Sequence, residues 1–171
     1  MLPFSAWLAL LTICSALGIV LRQVVIPTYT PYVNLTPGFI MPLFAGMLLG
    51  PLGGLCCGIF VGMSGALWEP FLIPLIGNIA LGLSTGLPSY FRHKIPDALW
   101  ILFCVVLAVS LGGFLPTFTI EVLIVGLHPL FAALSASIDA TQAGLWAVIS
   151  LLLFCGVIQP LLNPYRQPPA E

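Results

Sequence analysis

The sequence predicts an all-α fold: a polytopic membrane bundle of six transmembrane helices, whose short second and third members meet at a glycine–proline step. Three observations predict it. The chain is 60% hydrophobic and 5% charged, with a mean hydropathy of +1.18, whereas about a quarter of the residues in an ordinary soluble domain are charged. Long apolar runs alternate with short polar breaks, the pattern of several membrane spans rather than one anchor. Glycine recurs at 46, 50, 54, 58 and 62 within GMLLGPLGGLCCGIFVG, and small residues at such steps let helices approach closely in lipid, where hydrophobicity itself drives little association.

The elements follow in order, as one transmembrane domain over 1–171. Residues 2–21 are long enough to span, and their start lacks the positive flank of a secretory signal, so they read as a mature helix. RQVVIPTYTPYVNLTP (22–37) brings prolines and the first polarity, and reads as a loop. Residues 39–50 are apolar but short of the roughly 20 that a span needs, and 51–67 follow at once. Pro51 has no N–H and clashes with the preceding turn, so one helix is expected to end near Gly50 and another to begin. WEP (68–70) interrupts again, 71–91 spans, RHKIPD (92–97) is the most polar stretch, and 98–115 and 142–162 complete the set. Residues 116–141 hold Glu121, His128 and Pro129 and are expected to form a long, partly embedded connection, with a seventh span as the alternative.

A cytoplasmic amino terminus places Arg92, Lys94 and Arg166 inside and Arg22 outside, in the sense of the positive-inside tendency. The carboxyl terminus is then cytoplasmic too, in a multi-pass protein of the cell membrane. The same topology gathers 22–37, 67–71 and 116–141 on the outer face. The net charge of −1 gives no reason to expect nucleic acid. The five cysteines (14, 56, 57, 104, 155) all lie in apolar stretches without a Cys-x-x-Cys pair, which indicates packing rather than disulfides or zinc.

On the first helix Ser5, Ala9, Thr12 and Ala16 form one smooth stripe. Facing outward it would dock another membrane protein; facing inward it would be ordinary packing. The sequence leaves both open.

FAGMLLGPLGGLCCGIFVGMSG (44–65) resembles the second-to-third helix signature of substrate-binding S components of energy-coupling factor (ECF) transporters, and PFLIPLIGNIALGLSTGL (70–87) resembles their fourth helix. The resemblance implies a high-affinity subunit for a vitamin or similar heterocyclic micronutrient, working with a transmembrane coupling protein and two ATPases. ATP would be used by those partners, since the chain carries no Gly-x-x-x-x-Gly-Lys-[Ser/Thr] loop. It also implies that the first helix contacts the coupling protein, here through Ser5-x-x-x-Ala9 and Thr12-x-x-x-Ala16 in place of the family's Ala-x-x-x-Ala. Substrate would sit beneath the outer loops.

Among ligand candidates, Glu69 stands at the edge of a span, where an ionisable group is costly unless it meets water, a partner or a pocket. Trp68 beside it is suited to stacking on a cationic heterocycle but equally to the interfacial belt. Asn78 would bind ligand or cap carbonyls freed at Gly50–Pro51. Tyr32, Asn34 and Thr36 would close the first loop, and Trp146 would form a second aromatic wall or pack in the core. His128 falls seven residues after Glu121, on one face if the stretch is helical, and pairing with Asp139 is a further arrangement. No spacing indicates a metal site or an enzyme. Arg22 would hold an anion or snorkel to head groups. The alternative function is a structural scaffold of the rod-shape-determining type, which would need no convergence of Glu69, Trp68 and Asn78.

Overall fold

The computed structural model describes residues 3–27, 34–66 and 73–162. Helices carry the fold: α1 (Phe4–Arg22), α2 (Ile40–Ala66), α3 (Ile73–Phe91), α4 (Asp97–Val125) and α5 (Pro129–Leu161). Between α1 and α2, a two-residue antiparallel pair, β1 (Ile26–Pro27) and β2 (Asn34–Leu35), sets Ile26 opposite Leu35. Four stretches are long and apolar enough to cross a membrane: Phe4–Arg22, Pro37–Gly65, Asp97–Val125 and Pro129–Leu161. Large apolar side chains such as Leu123, Phe131, Leu152 and Leu161 stay exposed on the outside, as suits a surface solvated by lipid.

The glycine ladder has a definite purpose. At Gly50 the backbone leaves helical geometry (φ 79°, ψ −171°), a conformation glycine adopts without steric cost. The chain there folds back on itself. A Cβ on Gly54 would lie 2.9 Å from the Cα of Gly46, although eight residues of continuous helix would separate the two by about 12 Å. Both halves then press on α3: a Cβ would stand 2.4 Å from the Gly82 carbonyl oxygen at Gly46 and 2.2 Å from it at Gly54. At Gly58 it would stand 2.4 Å from the Asn78 oxygen. Four of the five glycines therefore permit backbone-to-backbone contact, and Gly50 makes the reversal. The indole of Trp7 on α1 donates to the Leu49 carbonyl at 3.4 Å, which serves a group beside the break.

The stretch 116–141 differs from expectation. It is neither a long connection nor an extra span. Helix α4 continues through it to Val125, Gly126 turns the chain in the left-handed region (φ 75°), and α5 begins at Pro129. Of the residues that suggest a loop, Glu121 is buried between these two helices, and His128 and Pro129 form the short turn that joins them. Three places in this pair widen to i→i+5 turns: Ala108–Phe114 just before Pro116, Glu121–Val125 just before the turn at Gly126, and Phe154–Ile158 just before Pro160; the missing proline N–H and the bulk of its ring account for the first and the last.

Candidate functional site

The last turn of α1, the turn at Gly38 and the end of α2 at Gly65 meet around Arg22 at one end of the bundle, and buried polar groups collect there. The inner face of α5 supplies most of them. Ser135, Asp139, Gln142, Trp146 and Ser150 recur at steps of three or four and so line one stripe. Ser135 Oγ donates to Glu121 Oε1 of α4 at 2.7 Å. Thr117 of α4 donates to Asp139 Oδ2, and Gln142 Nε2 donates to Asp139 Oδ1 at 3.1 Å. Gln142 Oε1 in turn accepts the Thr36 backbone N–H at 2.7 Å. Thr36 caps the turn Pro37–Phe39, its hydroxyl accepting from the Gly38 N–H at 3.2 Å. Lower on the stripe, Ser150 donates to the Ile40 carbonyl at 3.1 Å. The α1–α2 connection is thus tied to α4 and α5 by a chain of polar contacts.

Arg22 closes this end from the α1 side. It is buried, with its guanidinium packed where a Gly65 side chain would stand (2.1 Å from Nε to a Cβ there) and 5.8 Å from the centre of the Phe39 ring. The side chain turns inward, against Phe39 and the Gly65 backbone, instead of snorkelling to head groups. Charges separated from water in this way interact more strongly than at a surface. Glu121 is 1% exposed; its second oxygen, Oε2, has no hydrogen-bond partner. The arrangement is a carboxylate pair with one arginine, set between helices and already partly saturated by hydroxyl and amide donors.

The sequence candidates divide as follows. Tyr32, Trp68 and Glu69 lie outside the described residues, and Asn34 enters through its backbone, in register with Pro27. Asn78 is fully buried, and its Nδ2 donates to the Pro74 carbonyl of its own helix at 2.7 Å while Oδ1 has no partner. It does not cap Gly50–Pro51, which face Gly86 of α3. His128 is exposed and caps α5, its Nδ1 accepting from the Leu130 N–H at 3.3 Å. The turn at Gly126 removes the shared helical face with Glu121. Asp139 takes Thr117 and Gln142 as partners, about 16 Å of helix rise from His128. Trp146 packs against the cluster of Leu43, Leu81, Ala108, Ala143 and Ala147, and its indole N–H has no partner. On α1, Ser5, Ala9, Thr12 and Ala16 are all exposed, while Leu11, Cys14, Ser15 and Gly18 face inward. Among the described residues no group of three His, Cys, Asp or Glu side chains is placed to hold a metal.

Sequence reasoning passed over Gln142, Thr117 and Ser135. Their signal was the polar periodicity of α5, which is hidden when its first half is taken for a loop.

No family model and no curated protein matches the chain. Among solved structures, its fold is similar to that of the S component of a bacterial ECF transporter, at a TM-score of 0.66 over 96% of this chain and 100% of the other, with 17% sequence identity.

Proposed function

We propose that this chain is the membrane-embedded substrate-binding subunit of an ATP-driven importer in the cell membrane, both termini cytoplasmic, for a vitamin or similar small heterocycle. The observation that carries the reading is the buried polar chain from Thr36 through Gln142 and Asp139 to Thr117, with Glu121 beside it, beneath one end of an otherwise apolar bundle. Polar groups inside a membrane are expensive to keep, and a scaffold has no use for this expense. The likeness in fold to an S component supports the same reading, as does the reversal at Gly50, which makes six rods of the helical segments: α1, the two halves of α2, α3, α4 and α5.

In this reading the loops close over substrate at the polar end. The exposed stripe of Ser5, Ala9, Thr12 and Ala16 meets a transmembrane coupling protein, and two ATPases bound to that protein supply the energy. Smooth helix faces associate well in lipid because backbones approach closely. The test is a titration of the purified chain with water-soluble vitamins, followed by tryptophan fluorescence. Saturable quenching by one of them is expected. A flat response to all of them would overturn substrate capture and favour a scaffold.

A further inference from the structure

The two acids of the polar end are not equivalent. Asp139 has both oxygens engaged, Oδ2 by Thr117 and Oδ1 by Gln142. It is a structural knot, already saturated. Glu121 is buried, at 1% exposure, yet only Oε1 is engaged, by Ser135. Its Oε2 has no partner. One turn further along α5 from Ser135 stands Asp139, a second acid. Buried carboxylate oxygens are ordinarily satisfied, and an exception calls for a reason.

We infer that Glu121 is the anchor for a positively charged nitrogen on the transported molecule, with Oε2 accepting from an N–H or facing a quaternary nitrogen, while Asp139 only positions the helices around it. This rests on the substrate-binding reading and narrows its substrate class to nitrogen bases that are cationic near neutral pH. A ligand anion is disfavoured there, because two carboxylates flank the position. Ser135 holds Oε1 and thereby fixes the direction in which Oε2 points. Glutamine at 121 keeps the shape and the Ser135 contact but removes the charge.

The test uses the full chain purified in detergent, as wild type and as Glu121→Gln. Small molecules released on denaturation are identified and quantified by mass spectrometry, and the melting temperature of each protein is taken after exhaustive washing. The expected result is that wild type releases a compound carrying a protonated or quaternary nitrogen, that E121Q releases at least tenfold less of it, and that the washed proteins melt alike or E121Q melts higher. A released compound without such a nitrogen, or equal retention by E121Q, overturns the anchor and leaves substrate binding standing. Failure of E121Q to fold also overturns it, since a carboxylate held only through Oε1 should tolerate the amide. Release of nothing from wild type removes the substrate-binding reading itself.

Discussion

The two ends of the bundle each hold an arginine, Arg22 buried and Arg92 half-buried, and they treat it differently. At the end away from the loops, Arg92 lies 4.3 Å from the centre of the Trp100 ring and 4.8 Å from that of Phe154, and donates to Gln159 Oε1 at 2.7 Å. Around it are Met47, Cys104 and Leu151. Two aromatic faces and one side-chain amide hold that cation, which is a packing solution. At the loop end, Arg22 lies against Phe39 in the space a Gly65 side chain would take, the hydroxyls and the amide go to the two acids, and one buried carboxylate oxygen is left over. The first end is closed chemically and staples α3 to α4 and α5. The second is open chemically. A bundle that needed only rigidity would use the first device at both ends.

Four substitutions break or sharpen this contrast. The largest effect belongs to neither end but to the spine that connects them. Gly54→Leu would force a side chain into the Gly82 carbonyl, 2.2 Å from its Cβ; overpacking of this kind costs about 3 kcal/mol or more. Size-exclusion profiles of the variant should show loss of the folded monomer. Gly77→Ala, where nothing lies within 4 Å, should fold normally and serves as its control. Next comes Asp139→Asn, which keeps one acceptor for two donors and removes the charge. Hydrogen bonds to charged groups contribute about 1.5–3 kcal/mol each, so a drop in stability of about 2 kcal/mol is expected in thermal melts. E121Q should show no such drop, and a matching loss would mean that both acids are structural.

Arg92→Gln at the other end removes the cation from between two rings. A partly desolvated cation–π contact is worth about 1–2 kcal/mol, so the melt should fall by that amount while substrate retention stays at the wild-type level. A change in retention would show that the two ends are coupled. The smallest effect on stability is expected for Ala9→Leu on the exposed stripe, within about 0.5 kcal/mol. Its effect should appear only in co-purification with the coupling protein. Unchanged co-purification would remove this stripe from the docking surface.

Much of the scaffold was legible because glycine and proline have few structural uses in lipid. The ladder from Gly46 to Gly62 announced close helix contact, and Pro51 announced a break; neither could tell that the chain reverses there and sets Gly46 against Gly54. The stripe on α1 was visible, but its outward direction depended on where Leu11, Cys14 and Gly18 found partners. The polar site was the least legible part. Serine and threonine in apolar helices commonly bond their own backbone, as Ser84, Ser89, Ser137 and Thr141 do here. Nothing in the composition of 116–141 separates those from Thr117 and Ser135, which reach across to another helix. Glu121 looked like the mark of a loop because its cost is offset by contacts with α5 that only the fold provides.

The most direct measurement is a crystal structure of the wild-type chain purified without washing. Density for a small molecule with a nitrogen within hydrogen-bond reach of Glu121 Oε2 is the predicted result. A loop end filled by apolar side chains, with Glu121 paired to a protein cation and no molecule enclosed, would contradict it.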